Sequence, residues 1–457
     1  VAAAVLAVAP PAAALAAAGV LFHRGLSLPP SFDEGVYLAQ TDALLHGQRL
    51  GEDVFAAQPP GFHWLLLAAA KVGGLGVDQL RYEVLALALL GLVAAYLVGR
   101  AVGGPVAGLV AAAVLAVAPP YPTFAAQISA DLPGTVLALL ALACLLAPGR
   151  RRWLFVLGGV LFAAAEWVKL DAFILLLPVL AYAAARRLRP GDLLAAAGAA
   201  LVASGIAAAV LAGALPDVWR GAVSYHLSAR GAPGHHENVH ALRAFFDLRQ
   251  PFTWLVAAAL AAYAVLRPRC RLPLWPLWAT AAASALFLLW HRPLHDNHMV
   301  LLSLALVVPV GASLAAVTAR FRLVAAAALA LLVAAGYVQE TRRLDRNAAS
   351  LPAELAWEVG RVEAHSTPGQ LVVSDEPIVP VLAHRRMPGE VIDTAVLRFD
   401  SGYLSNADVL RAIDSHRVPV VVAGRSFLLR PALLAEIAKR FPPPQVRDGV
   451  RVYVRSA

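Results

Sequence analysis

The sequence predicts an α-helical polytopic membrane protein with a small α/β domain at its C-terminal end. Mean hydropathy is +0.68, and 60% of residues are hydrophobic while 15% are charged; a soluble domain has about 25% charged residues. Apolar runs long enough to span a bilayer, about 17–25 residues each, recur along the first three quarters of the chain. From about residue 345 the composition turns to that of a soluble domain.

The runs lie near 2–22, 82–102, 104–120, 131–148, 153–168, 170–185, 193–215, 253–267, 272–290, 299–318 and 322–338, eleven in all. With the N-terminus in the cytoplasm, the inner connections carry Arg100; Arg150, Arg151 and Arg152; Arg186, Arg187 and Arg189; Arg267, Arg269 and Arg271; Arg320 and Arg322. The short outer connections hold little Lys or Arg beyond Lys169 and Arg292. This is the positive-inside pattern of a multi-pass protein. Counting 61–76 as a span would reverse every later loop and break the pattern. That stretch, with Trp64 and Lys71, is therefore expected in the outer interface as an amphipathic helix. The first run lacks the basic leading region of a signal peptide, and the arginine pattern needs it retained.

Residues 1–344 thus form the expected transmembrane domain, with 23–81 as a first external loop carrying interfacial helices. An odd span count puts the domain 345–457 outside, on the face of that loop and of a second external segment, 216–252. This second segment holds Trp219, His226, His235, His236 and His240. In the outer domain, Val372-Val373 and Val420–Ala423 read as buried strands, and 352–364, 407–415 and 431–440 as helices. Asn406 is the expected N-cap of the middle one. The net charge of +9 comes largely from cytoplasmic arginines and calls for no nucleic-acid partner. Cys144 lies in a span and Cys270 in a cytoplasmic loop, so no disulfide is expected.

Chemistry is expected at the outer face. In Ser31-Phe32-Asp33-Glu34-Gly35-Val36-Tyr37, Ser31 and Glu34 fit a capping box. The helix behind it, with Val36, Ala39 and Ala43 against Gln40, Asp42 and Gln48, reads as interfacial. Asp33 suits the first turn of a helix, but capping needs one acid only. A carboxylate there could orient and deprotonate an acceptor hydroxyl. Asp131, in Ala130-Asp131-Leu132-Pro133-Gly134, starts the fourth span on the same face, and simple capping is its bland reading. Lys169 stands between Glu166 and Asp171, an ion-pair network or a cation for a phosphate. In His291-Arg292-Pro293-Leu294-His295-Asp296-Asn297-His298, Arg292 suits a phosphate through its guanidinium fork. His295 and His298 could hold a divalent metal with Asp296, but no further ligand at fixed spacing joins them, so no cofactor is expected. Nucleophile-elbow, P-loop and dinucleotide fingerprints are absent from the sequence.

Ser31–Tyr37 and Gln58-Pro59-Pro60-Gly61-Phe62-His63-Trp64, about 25 residues further on, resemble the first external loop of polytopic GT-C glycosyltransferases. The protein-mannosyltransferase and aminoarabinose-transferase families are the nearest type, and the resemblance covers roughly residues 23–300. It implies a GT-C-like fold and a polyprenyl-phosphate sugar as donor, with its tail among membrane lipid. The acceptor would be a hydroxyl of an envelope glycan, lipid or protein, and direct displacement would invert the anomeric carbon. The resemblance assigns Asp33 and Asp131 to catalysis, with Glu34 beside them, and Lys169 and Arg292 to the donor phosphate. Gln58 and Arg81 are further candidates for the phosphate, and Tyr37, His226, His295 and His298 for the donor or acceptor pocket. One departure matters: the aminoarabinose transferases carry Glu-Lys before the double proline, where this chain has Ala57-Gln58, which makes lipid A a less natural acceptor. The alternative is a flippase or transporter for lipid-linked glycan. Transporters tend to show repeat halves and broken helices at midplane, whereas here the charges gather at one face and no half-repeat stands out.

Overall fold

The computed structural model describes residues 2–147, 149, 151–185, 187–229, 235–348 and 351–455. Arg150 and Arg186, counted above among the cytoplasmic arginines, and the side chains of His235 and His236 lie outside the described part. Among the described residues, each apolar run read from the sequence is helical over most of its length. Among the described residues four helices are long and apolar enough to cross a membrane: Val77–Gly103, Pro190–Val210, Asp296–Arg320 and Arg322–Asn347. The shorter apolar ones include Pro105–Ala116, Asp131–Leu146, Pro251–Leu266 and Trp275–Trp290. The run at 170–185 starts as a 3₁₀ turn, Leu170–Leu176, and becomes α-helical only at Leu177, where Pro178 suits a first turn.

Two compact units divide the chain. The first gathers Val1–Leu28, Arg81–Val210 and Gly234–Ala348, and the second Pro29–Leu80, Leu211–Pro233 and Ala349–Ala457. Most of the two segments read from the sequence as external, Pro29–Leu80 and Leu211–Pro233, thus falls in one unit with Ala349–Ala457. In the first unit the helix Met299–Arg320 is central, 83% buried over its apolar window, whereas Pro190–Val210 is only 6% buried. An apolar helix left that bare faces lipid. Small residues set the helix contacts, as membrane bundles require: a Cβ on Gly159 would lie 2.0 Å from the carbonyl oxygen of Ala196. Cys144 and Cys270 are free thiols.

The second unit holds a four-stranded sheet of β1 (Val373–Ser374), β2 (Val420–Ala423), β3 (Gln445–Arg447) and β4 (Val450–Val454), in the order β1-β2-β4-β3. β1 pairs parallel to β2, while β4 runs antiparallel to both neighbours, with Val421 opposite Tyr453. Val409, Ile413, Phe427, Leu433 and Ile437 pack with Tyr453 in its core. The helix Asn406–Ser415 is capped by Ser405 rather than Asn406: Ser405 accepts from the Asp408 amide, and the Asp408 carboxylate accepts from the Ser405 amide. Ser405 is in the extended conformation a cap needs, and Asn406 already lies inside the helix.

The helix Phe32–Leu45 corrects a second expectation. Its face of Val36, Ala39 and Ala43 does not meet lipid but packs with Leu50, Val54, Ala56, Met387 and Ile392. Polar Gln40 is buried too, donating to the Phe55 carbonyl at 2.8 Å and bonded to His63 Nε2 at 2.9 Å. The helix Pro60–Gly73 lies in the same unit and buries Phe62, His63, Leu66 and Ala70 on one face, leaving Lys71 and Val72 exposed. It belongs to this second unit and not to the helical bundle.

Gly35 sets how closely the helix Phe32–Leu45 meets the helix Ile378–Leu382, since a Cβ there would lie 2.3 Å from the Ile378 amide nitrogen. Gly35→Ala should cost about 1–3 kcal/mol, the price of overpacking. Gly360→Ala, in the helix Ala353–His365 with nothing within 4 Å of its Cβ, should be neutral or gain about 0.5–1 kcal/mol. Thermal unfolding of the purified protein in detergent decides this: a Gly35→Ala protein as stable as the parent would refute the contact.

Candidate active site

In the first unit the side chains of Lys169, Asn297 and His298 converge on Asp131. Its carboxylate is 2% exposed, and Oδ1 lies 3.1 Å from Lys169 Nζ. Oδ2 accepts a hydrogen bond from Asn297 Nδ2 at 2.7 Å, and His298 Nε2 stands 3.9 Å from Oδ1. Local sequence builds this. Asp131 opens the helix Asp131–Leu146 without capping it, for the preceding residue, Ala130, makes no side-chain cap. Pro133 lies in the first turn, where its missing amide is harmless. Gly134 clears the way for Lys169, whose Cβ would come within 2.6 Å of a Cβ at that position. Lys169 itself ends the helix Arg152–Val168 in an extended conformation, which turns its side chain out of the helical ladder.

The turn before Met299–Arg320 completes the group. The His295 amide donates to His298 Nδ1 at 3.1 Å. That makes Nδ1 an acceptor, so a neutral His298 carries its proton on Nε2, the nitrogen facing Asp131. The ring of His298 also meets those of His291 at 4.6 Å and His295 at 5.7 Å. Arg292 is half-buried in this same turn. Asp171, 7% exposed, has an Oδ1 with no hydrogen-bond partner among the described residues. Arg81 differs from its expected role: it is 1% exposed, and its Nη1 donates to the carbonyls of Leu26 and Leu28 at 2.8 and 2.7 Å. Those bonds hold the chain where it leaves the first helix, so anchoring explains Arg81 better than phosphate binding. Among the described residues no three His, Cys, Asp or Glu side chains converge to hold a metal ion.

In the second unit Ser31 and Glu34 form the full capping box, with Ser31 Oγ accepting from the Glu34 amide at 3.3 Å and Glu34 Oε2 from the Ser31 amide at 2.9 Å. Glu34 is fully buried in that task. Asp33, one residue earlier, is exposed in the same first turn. Its charge reaches Tyr225: burial first, then Asp393 and Asp33 push that hydroxyl above its ordinary range, against Arg398. Tyr225 packs edge-on to Phe55 at 5.4 Å and Tyr403 at 5.3 Å. The Arg398 guanidinium lies 4.1 Å from the Phe55 ring centre. His226 Nε2 bonds the Ala57 carbonyl at 2.6 Å, pinning the stretch that carries Gln58. Tyr37 packs on Phe62 at 4.8 Å, beside His63, whose imidazole burial holds neutral, down to about 4.

Residues 57–216 match the family model described as dolichyl-phosphate-mannose-protein mannosyltransferase. No curated protein matches the sequence. The structure aligns with ArnT from Cupriavidus metallidurans in its apo state at a TM-score of 0.74 and 17% identity, over 100% of this chain and 99% of that one. This is the GT-C fold. The undecaprenyl-phosphate-bound ArnT gives 0.73 at 17% identity over 98% of both chains. AglB, an oligosaccharyltransferase from Archaeoglobus fulgidus, solved with an inhibitory peptide and dolichol-phosphate, gives 0.54 at 14% identity, over 98% of this chain and 74% of that one. With its apolar helices, the GT-C fold makes this chain a multi-pass membrane protein.

Within the GT-C frame, the sequence singles out Asp131, Lys169 and His298, which the structure joins, but not Asn297. The asparagine stood in the quoted turn, and as the amide donor next to His298 it was a readable signal. Tyr225, Arg398 and Tyr403 carried no such signal, because only long-range folding brings their segments together.

Proposed function

We propose that the protein is a membrane glycosyltransferase that moves a hexosyl or pentosyl group from a polyprenyl-phosphate carrier to a hydroxyl acceptor at the outer face of the cytoplasmic membrane. The observation that carries this is a buried Lys169 held by Asp131, with His298 alongside, inside a GT-C fold. A buried ammonium is costly unless compensated, and a cation at a membrane boundary is well suited to a lipid phosphate. ArnT has been solved with undecaprenyl phosphate and AglB with dolichol-phosphate, both polyprenyl phosphates.

In this reading Lys169 and Arg292 take the carrier phosphate, and Asp131 with Asn297 keeps Lys169 in place. The acceptor oxygen attacks the anomeric carbon and its proton passes to Asp33. The bond from that carbon to the phosphate oxygen breaks, and the electron pair leaves with the polyprenyl phosphate, whose charge the cations stabilise. One direct displacement inverts the anomeric carbon. Glu34 supports Asp33 by capping its helix and does not take part itself.

Asp33→Asn should lower transfer about 10²–10⁴-fold, the usual loss of a general base, in a protein that still inserts and folds. Glu34→Gln should be mild, since glutamine also completes a capping box. Transfer of label from polyprenyl-phosphate sugar in purified membranes measures both, and near-parental turnover by Asp33→Asn would remove it from the chemistry. A chain that moves lipid-linked sugar across the membrane and transfers none would be a transporter instead.

The orientation belongs to the same reading, with the N-terminus cytoplasmic and residues 345–457 outside. Its support is the recurrence of Arg100, Arg151, Arg187, Arg267 and Arg320 at alternate connections. A cysteine at Ser401, in a chain with Cys144 and Cys270 replaced by alanine, should react with an impermeant thiol reagent in intact cells. Labelling only after lysis would reverse the topology.

A further inference from the structure

The first turn that carries Asp33 is held by more than its cap. Phe32, the residue before it, has the Arg425 guanidinium 4.2 Å from its ring centre. Arg425 Nη1 in turn lies 3.6 Å from Glu376 Oε2. Gly35, two residues after Asp33, is pressed on the backbone of Ile378. Both partners leave neighbouring parallel strands, Glu376 just after β1 and Arg425 just after β2.

Their ends are tied together with unusual firmness. The fully buried Asp375 carboxylate accepts from the backbone amides of Gly424, Arg425 and Phe427 at 2.7, 2.8 and 2.7 Å. Ser374 Oγ accepts from the Glu376 amide at 3.0 Å. None of this is needed to start the helix Phe32–Leu45, which Ser31 and Glu34 already cap.

We propose that Glu376 and Arg425 are positioning residues for Asp33, so that the C-terminal segment aims the catalytic carboxylate through the stack Phe32–Arg425–Glu376. This rests on the glycosyltransferase reading and on Asp33 as its base. It gives the C-terminal segment a share in the chemistry: a misplacement of about 1 Å at a reacting group can cost roughly 10²-fold in rate.

The stack depends on the charge of Glu376. That carboxyl faces Arg425, Asp375 and Asp33, and burial pushes it up to about 7; Arg425 opposes the shift, and Asp375 and Asp33 add to it. Glu358, on the helix Ala353–His365, is raised to about 7 by burial and by Glu376, Asp375 and Glu354. A raised carboxyl pairs with Arg425 only while ionised. The pair is therefore complete above about pH 7 and is lost as pH falls through that value. Protonation of Glu376 releases Arg425 from its pair and loosens the hold on the turn that carries Asp33.

The test uses the full-length protein and whichever donor the parent accepts best among polyprenyl-phosphate mannose, glucose and arabinose, with native membranes as acceptor. The parent should lose activity as pH falls through about 7. Glu376→Gln should lower kcat roughly tenfold at about pH 8.5, leave the donor KM unchanged and lose the limb near neutrality, while Glu376→Asp restores part of both. Arg425→Ala should resemble Glu376→Gln. A Glu376→Gln enzyme with the parental kcat and limb overturns the proposal. So does a loss matched by lower thermal stability with the limb intact, which would make the stack mere scaffolding. A parent that transfers none of the three sugars overturns the glycosyltransferase reading, and this assignment with it.

Discussion

The contact between Asp131 and Lys169 is the constraint around which the helical unit is arranged. Taking two charges out of water costs several kcal/mol per ion, and their attraction returns this only with good geometry and full hydrogen bonding. The chain meets that demand with parts from three places: the start of Asp131–Leu146, the end of Arg152–Val168 and the turn before Met299–Arg320. Asn297 satisfies the second carboxylate oxygen, and His298 offers its Nε2 side. Removing the lysine would leave the buried Asp131 carboxylate without its cation. A pair that is costly to bury and simple to replace with leucines is better explained by use than by stability.

The second unit solves a different problem. Its residues come from three separated stretches, so the start of the helix Phe32–Leu45 must be located by parts of the chain far away in sequence. Glycine at 35 permits backbone contact with Ile378, and the apolar face of Val36, Ala39 and Ala43 is covered by Met387 and Ile392. Asp375 does for the loop after β2 what Ser31 does for the helix: it satisfies amides that would otherwise be buried without partners. The segments Pro29–Leu80 and Leu211–Pro233 and the C-terminal residues thus make one folded body around a short acidic motif.

Much of this was legible beforehand. Hydropathy located the apolar helices among the described residues, because burial in lipid demands apolar runs. The capping box at Ser31 and Glu34 and the strand Val420–Ala423 were read directly. Asp448-Gly449 announces the turn between β3 and β4, with both residues at positive φ, yet that hairpin went unread because its strands are short and one is exposed. The interfacial reading of Phe32–Leu45 failed for a deeper reason. An apolar helix face is the same whether lipid or protein covers it, and only the partner decides. Equally, local pattern tells of Asp131 and Lys169 separately but not that they touch, since they stand 38 positions apart in the chain.

Whether the Asp131–Lys169 group is a seat for a lipid phosphate is open to a direct measurement, the affinity of the purified protein for undecaprenyl phosphate in detergent. Lys169→Met should lose roughly tenfold or more, since a hydrogen bond to a charged group contributes about 1.5–3 kcal/mol, and should also be destabilised by the stranded Asp131. The double variant Asp131→Asn/Lys169→Met, with neither charge, should recover the stability and stay as weak a binder as the single one. A stable double variant that binds undecaprenyl phosphate as tightly as the parent would contradict the account and leave the buried pair as a structural tie.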